Sequence, residues 1–186
     1  MRRWIPVILI GLLVSCARTS GTVEIPAEEL PFPVARAPSA TETLVPTRTL
    51  TVYFVRGGRL VPSAREVGTD LPPAEAAVRA LLEGPSSLER SKGIGTELPT
   101  AAGLLGVGIT DGTATIDLSG EFQEPAPPER ISLRVAQITW TLTGIPDVHD
   151  VAFAIDGEQV SVTTGDGTTV DRPVRRSDYA SFAPTG

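Results

Sequence analysis

From residue 49 onwards, apolar residues recur with a period of two or with a helical period, in segments separated by glycine and proline. The first segment has an apolar residue at every second position: Leu50, Val52 and Phe54. This alternation predicts a half-buried β-strand. The Gly57-Gly58 pair can form a tight turn, so residues 59–67 can return as the partner strand. Pro62 has no amide hydrogen to donate, and we therefore expect the return strand at the edge of a sheet.

Two longer segments have the spacing of amphipathic α-helices. In residues 71–84 the apolar positions recur at intervals of three and four: Ala74, Ala77, Val78, Leu81 and Leu82. Residues 127–144 show a wider apolar stripe: Ile131, Leu133, Val135, Ala136, Ile138, Trp140 and Leu142. Each segment has proline in its first turn and ends at glycine, which favours a helix between them. The stretch over residues 86–99 is predicted to be mostly loop.

Two predicted hairpins complete the pattern, each across an Asp-Gly pair that signals a two-residue turn. Their strands are residues 104–109 with 113–118, and residues 148–155 with 159–163. In the first hairpin one face is apolar and is predicted to face the core: Ala114, Ile116 and Leu118. Hairpins separated by single helices predict an α+β fold. We expect a single compact domain with two helices packed on a mixed or mostly antiparallel sheet.

The N-terminal residues have a different pattern. Arg2 and Arg3 precede an apolar run that ends at Val14, and Cys16, the only cysteine of the chain, follows directly. A basic start, a short apolar run and a small residue at the boundary are typical of a secretory signal. The run is shorter than the roughly 20 residues that cross a bilayer as a helix.

The tetrapeptide Leu13-Val14-Ser15-Cys16 is similar to the lipobox of bacterial lipoproteins. In that motif the cysteine sulfur receives a diacylglycerol and the chain is cleaved before the cysteine. The resemblance implies a lipoprotein signal peptide over residues 1–16 and lipidation of Cys16, which anchors the protein at the extracytoplasmic face of the cell membrane. Two alternatives stay open: a thiol discarded with an ordinary signal peptide, and a spanning anchor.

Composition divides the rest of the chain into three parts. Residues 17–48 are rich in proline, which favours an extended linker or stalk over helices and strands. Residues 49–165 contain the periodic segments and are predicted as the folded domain. Residues 166–186 are predicted as a C-terminal tail with a charged and aromatic cluster. The cluster comprises Arg172, Arg175, Arg176, Asp178, Tyr179 and Phe182. It is either a solvated end whose aromatic residues dock on the domain or a contact for a peptide-like partner.

Charge and residue counts exclude several classes of function. The net charge is −6 and Lys92 is the only lysine, whereas nucleic-acid backbones bind clustered basic residues. A zinc site requires several histidine or cysteine ligands, and the chain has one residue of each type, His149 and Cys16. We therefore expect no nucleic-acid partner, no metal and no cofactor.

Candidate catalytic groups are few. The sequence has no Gly-x-Ser-x-Gly turn to pair a serine with His149, which we interpret as a solvated loop or strand-edge residue. Asp117 and Glu121 could form the carboxylate pair of glycoside hydrolysis. The Asp-Leu-Ser sequence instead favours a turn-stabilising role for Asp117. We predict no catalytic residue and a protein that is not an enzyme.

Five segments, in order, resemble the GerMN domain family of sporulation and spore germination proteins. They are residues 50–55 with 59–62, residues 80–85, residues 115–122, residues 136–142 with 148–157, and residues 172–179. The resemblance implies a fold similar to the ring-building motifs of envelope complexes, in lipoproteins that assemble by protein–protein contact and are not established enzymes. One copy of the domain is present, whereas the protein that names the family carries two.

Together these features predict a lipid-anchored, extracytoplasmic, non-catalytic module that binds or scaffolds proteins of a bacterial envelope complex. Its expected partners are the membrane, through Cys16, and an envelope or membrane protein. The alternatives are a lipoprotein that binds a small ligand or a cell-wall polymer and, less favoured, an envelope hydrolase. A flat apolar patch would support the first function, and a pocket with converging polar groups would support the binder.

Overall fold

The computed structural model describes residues 46–185. The predicted signal peptide with Cys16, and the predicted stalk up to residue 45, lie outside the described residues. The strands are β1 (Thr47–Arg56), β2 (Arg59–Gly68), β3 (Leu104–Thr110), β4 (Thr113–Leu118), β5 (Asp150–Ile155), β6 (Glu158–Gln159), β7 (Val162–Thr163) and β8 (Thr169–Val170). The helices are α1 (Pro73–Leu82), α2 (Ser87–Ser91) and α3 (Pro128–Leu142), with short 3₁₀ segments at Gly120–Gln123 and Arg176–Phe182. Between residues 46 and 185, no helix has both the length and the apolar character required to cross a membrane.

The strands of the described region form three sheets. β1 and β2 form an antiparallel hairpin, and β7 pairs with β8. The central sheet has the order β3-β4-β5-β6, in which β4 and β5 are parallel and the other neighbours are antiparallel. α3 connects β4 to β5, as parallel pairing requires a crossover. The prediction of an α+β fold with a mixed sheet is confirmed.

Both predicted Asp-Gly turns are present. Asp111 and Gly112 have φ angles of 48° and 77°, and Asp156 and Gly157 have 50° and 84°. Two consecutive positive φ angles are what a two-residue turn requires to match the twist of its strands. These turns set the hairpin registers, in which Thr110 lies opposite Thr113.

The core lies between the helices and the inner faces of the sheets. The predicted inner face of β4, namely Ala114, Ile116 and Leu118, is fully buried. α1 and α3 contribute the residues that the helical period predicts, and β1 and β5 add aromatic rings. The fully or almost fully buried examples are Ala77, Val78, Leu81, Val135, Ile138, Leu142, Phe54 and Phe153. Burial of each large apolar side chain contributes about 1.5–3 kcal/mol to the stability of the fold.

The segment of residues 86–99, predicted to be mostly loop, contains one short helix, α2. The Ser86 hydroxyl accepts from the Glu89 amide at 3.2 Å, and a Glu89 carboxylate oxygen accepts from the Ser86 amide at 2.6 Å. This reciprocal pair is a capping box. Its Ser-x-x-Glu spacing is visible in the sequence, so the signal was present and was missed.

The last predicted strand, residues 159–163, is broken in two. β6 follows β5 for two residue pairs, and β7 then leaves the central sheet to pair with β8. The cause is a turn built by Asp166, whose carboxylate accepts from the Thr164 hydroxyl at 2.5 Å and from the Thr168 amide at 3.0 Å. Asp side chains stabilise such turns by bonding to backbone two residues ahead.

Residues of the predicted C-terminal tail contribute to the same core. Val174 is fully buried and forms an antiparallel bridge with Val151 of β5. Tyr179 is fully buried and Phe182 almost so. The Tyr179 hydroxyl donates to the Thr163 carbonyl at 3.3 Å, and burial raises its pKa. At the other end, β1 begins at Thr47, two residues inside the predicted stalk.

An ion pair attaches α2 to β2 and gives the fold a pH dependence. The Arg65 guanidinium, 2.7 Å from the Glu89 carboxylate, lowers the pKa of Glu89 far below its ordinary value; burial opposes this, and hydrogen bonds from Ser63 and Ser86 support it. A carboxyl whose folded pKa is depressed stabilises the fold above its unfolded pKa, near 4.3, and loses that contribution as the pH falls.

We expect Glu89→Gln to lower the free energy of unfolding by roughly 1 kcal/mol at pH 7. The difference between the wild type and the variant should shrink below about pH 4, because the Glu89 carboxyl of the unfolded wild type then takes up a proton while the folded one stays ionised. Urea unfolding at pH 7 and pH 3 measures both values. Equal differences at the two pH values would contradict a stabilising role for the charged carboxylate.

Candidate interaction site

The outer edge of β3 is open. β3 is the terminal strand of the central sheet and pairs with β4 alone. Since Thr110 and Thr113 flank a two-residue turn, they form a hydrogen-bonded pair, and the alternation along the ladder directs the backbone groups of Val107 and Ile109 away from β4. Within residues 46–185, no other strand or loop pairs with this edge. β3 therefore presents free backbone donors and acceptors.

The same strand exposes large apolar side chains. Three such residues of the described region are strongly exposed: Leu88 at 64%, Leu105 at 56% and Ile109 at 47%. Two of the three lie on β3. The strand sequence, Leu-Leu-Gly-Val-Gly-Ile-Thr, contains no charged residue and no proline. Natural edge strands are commonly protected by such residues, so the β3 edge is suited to pairing with another chain.

On the outer edge of β1, by contrast, backbone groups form hydrogen bonds with other parts of the same domain. The Gln137 side-chain amide donates to the Tyr53 carbonyl at 2.9 Å, and the Tyr53 amide donates to the Thr141 hydroxyl at 3.1 Å. Two residues further on, Val55 exchanges backbone hydrogen bonds of 2.9 and 2.8 Å with Gly95. The edge of β1 is therefore closed at Tyr53 and Val55, the part that lies beside α3 and Gly95.

The outer edge of β2 is protected in another way. β2 pairs only with β1 and carries Pro62 opposite Tyr53, as predicted for an edge strand. Arg65 and Glu66 add charges along the same strand, and Arg65 is held by its ion pair with Glu89. Proline and charged residues both discourage pairing at an edge. In the two larger sheets of the described region, β3 is the edge strand with neither proline nor charge, and its bulge is confined to the first residues of the strand.

The predicted candidates for hydrolysis have structural contacts. The Asp117 carboxylate accepts from the Gly157 amide at 3.0 Å. It therefore stabilises the β5–β6 turn across the sheet, and not the turn after its own strand. Glu121 is exposed, and the Ser119 hydroxyl lowers its pKa. A general acid in glycoside hydrolysis has a raised pKa, so Glu121 lacks the property that this role requires.

His149 is exposed in the loop before β5. Its amide donates to the Gly112 carbonyl at 2.8 Å, which ties the loop to the β3–β4 turn. Among residues 46–185, no group of three or more histidine, cysteine, aspartate or glutamate side chains is arranged to hold a metal ion.

The C-terminal charged cluster is engaged with the domain. Arg172 makes a bidentate pair with Asp178 at 2.9 and 3.0 Å, and Arg175 lies 2.7 Å from Asp150. Arg176 lies over the Trp140 ring at 4.7 Å and donates to the Trp140 carbonyl at 3.0 Å. With the aromatic residues buried, these contacts support docking of the tail on the domain rather than a free peptide-binding cluster.

Polar and apolar clefts open at the surface of the described region, and a polar one reaches about 570 Å³ between Gly58, Pro128 and Asp166. Another, of about 440 Å³, is lined by polar residues such as Asp166, Arg172 and Asp178, which already bond to neighbouring groups. A third, of about 200 Å³, is apolar and lies between Phe122, Ile131 and Val160. Its volume is below the roughly 300–1,000 Å³ of typical small-molecule sites. Neither of these two smaller clefts favours a small-ligand function over protein binding at the β3 edge.

Comparison with known proteins now identifies the family. The model of a family described as Germane, sporulation and spore germination, matches residues 51–161, which is more than half of the chain. The chain belongs to this family. The matched region extends from β1 to the end of β6 and includes the β3 edge, so the candidate surface lies inside the Germane domain. The resemblance expected from the sequence is confirmed.

Individual relatives agree with this assignment. The chain is 30% identical over 141 residues to lipoprotein LpqB of Cutibacterium acnes, a match that covers 73% of this chain and 23% of that protein. The chain thus spans about a quarter of the length of this curated relative.

Solved structures show the same fold. The tandem GerMN domains of the sporulation protein GerM from Bacillus subtilis superpose with a TM-score of 0.58 at 24% identity, over 76% of this chain and 49% of that one. A structure described as a lipoprotein from Clostridium perfringens has a TM-score of 0.52 at 22% identity, over 75% of this chain and 94% of that one. At these identities the likeness shows the fold alone.

The closure of β1 by Gln137 can be tested by substitution. In this Germane domain, Gln137→Leu leaves the Tyr53 carbonyl and the Glu97 amide without their partner, so we expect a loss of roughly 2–5 kcal/mol in the free energy of unfolding. Gln159→Leu, at an exposed glutamine of β6, is the matched control and should change stability by less than about 0.5 kcal/mol. Thermal and urea unfolding measure both. Equal effects of the two substitutions would contradict the assigned role.

Proposed function

We propose that this Germane domain is a non-catalytic protein-binding module of a bacterial cell-envelope complex and that it pairs through the open edge of β3. The observation that carries the proposal is the unprotected strand with exposed Leu105 and Ile109. Main-chain hydrogen bonds to an added strand give affinity, and flanking apolar side chains add to it. Of the other long edges, β1 is closed at Tyr53 and Val55, and β2 is protected by Pro62.

Membrane anchoring through Cys16 is the second part of the proposal. It is supported by the lipobox-like Leu13-Val14-Ser15-Cys16 sequence and by relatives described as lipoproteins. Lipid on Cys16 would hold the domain at the extracytoplasmic face, with the residues between Cys16 and β1 as the connection to the membrane. Stable anchoring requires more than one acyl chain, as the lipobox chemistry supplies.

The anchor is tested with the full-length chain expressed in a bacterium. We expect the wild-type protein to fractionate with membranes and its N-terminal peptide to carry acyl chains by mass spectrometry. Cys16→Ala should lose the acylation and accumulate as unprocessed precursor. Ser15→Ala, which keeps a small residue before the cysteine, is the control and should behave as the wild type. Acylation at another residue, or none in the wild type, would contradict the anchor.

The interaction surface is tested by a charge on the open edge. Full-length protein carrying Ile109→Lys should lose at least about tenfold of the crosslinked protein that the wild type recovers from native membranes, because a desolvated lysine opposes strand pairing. Thr51→Lys, at an exposed position of β1, is the matched control and should keep the wild-type crosslinking. Equal loss in both variants, or in neither, would contradict binding at β3.

A further inference from the structure

The exposed part of β3 is self-complementary. Residues 105–109 read Leu-Gly-Val-Gly-Ile, a nearly palindromic sequence centred on Val107. If two copies of this strand pair antiparallel about Val107, Leu105 of each copy lies opposite Ile109 of the other, and Gly106 lies opposite Gly108. Each position thus meets its own residue type or one of similar size. A two-fold interface requires this kind of self-complementarity.

The backbone has the register that such pairing requires. The groups of Val107 and Ile109 point away from β4, as the hairpin alternation dictates. Val107 would then form a hydrogen-bonded pair with Val107 of a second copy across the two-fold axis. The strand is bulged between Leu104 and Gly106. The regular centre of the proposed pairing is therefore Gly106–Gly108, and Leu105, which lies within the bulge, meets Ile109 of the other copy at each end of it.

The two glycines of β3 are not explained by packing within the chain. A Cβ atom built on Gly106 or Gly108 meets nothing within 4 Å among residues 46–185, and neither residue has a positive φ angle. Glycine weakens a strand interior, and its presence there often marks a place where another backbone approaches closely. In the antiparallel pairing the glycines lie opposite one another and leave room for the second sheet edge.

We propose that the partner at the β3 edge is a second copy of this chain, paired antiparallel about Val107. The two central sheets then continue across the axis, and the Leu105–Ile109 pairs cover the exposed apolar side chains. This inference rests on the proposed function, since it names the partner of the same edge. It also depends on the proposed anchor: a five-residue pairing buries much less than the roughly 800 Å² per partner of a standard interface. Tethering to one membrane raises the effective concentration and compensates for this small area.

Cysteine crosslinking on native membranes tests the register. In the proposed pairing the two Val107 Cα atoms lie about 5.5 Å apart, within the range that a disulfide spans. Thr110 would face Leu104, which places the two copies of Thr110 roughly 20 Å apart along the strands. Full-length Val107→Cys should therefore form at least roughly tenfold more disulfide dimer on oxidation than Thr110→Cys. The wild type, with Cys16 alone, gives the background.

Val107 is partly buried, so a second measurement guards against misfolding of its variant. Leu105→Cys and Ile109→Cys chains, co-expressed with different tags, should form a mixed disulfide, whereas either chain alone should not. Dimer absent at Val107 and in the mixed pair, or equally strong at Thr110, would overturn the inference. If no such dimer forms but crosslinking of a different envelope protein still depends on Ile109, the proposed function stands and the second-copy inference is wrong. If crosslinking does not depend on Ile109 either, both are wrong.

Discussion

Gln137 lies fully buried in the middle of α3, and its side-chain amide joins three parts of the domain. It donates to the Tyr53 carbonyl of β1 and accepts from the Glu97 amide at 2.7 Å in the loop before β3. Arg134, one turn earlier, donates to the carbonyls of Glu97 and Phe122 at 2.9 and 2.6 Å, and burial lowers its pKa. Buried polar groups are costly unless they are bonded, so these two residues fix where α3 lies against β1 and the neighbouring loops.

This arrangement decides which sheet edges remain free. Because α3 satisfies Tyr53 and the loop residue Gly95 satisfies Val55, the β1–β2 hairpin is closed at these two residues of the β1 edge, and Pro62 protects the β2 edge. Within residues 46–185, the central sheet has neither kind of protection at β3. A domain that satisfies one edge with its own side chains and leaves an uncharged, apolar edge open is well suited to assembly by strand pairing.

Much of this fold follows from local sequence signals, and the remainder depends on long-range contacts. The alternation of β1, the stripes of α1 and α3 and the Asp-Gly turns each depend on neighbouring residues, so they could be predicted. The helical period does not mark Gln137 or Arg134 as hydrogen-bonding residues. The partners of Gln137 lie 40 and 84 residues away, and those of Arg134 lie in other elements of the fold. The sequence predicts that the sheet has open edges but not which strands form them. The strand order depends on how α3 places β5 beside β4.

The central claim is that the outward backbone groups of Tyr53 and Val55 on β1 are hydrogen-bonded within the domain, whereas the edge of β3 pairs with another protein chain. Amide hydrogen exchange of the full-length protein, followed by mass spectrometry at low and at high density on membranes, tests it most directly. We predict that the Tyr53 and Val55 amides are protected at both densities. The Val107 and Ile109 amides should exchange rapidly at low density and slow down at high density. Protection of β3 that does not change with density, or rapid exchange at β1, would contradict the account.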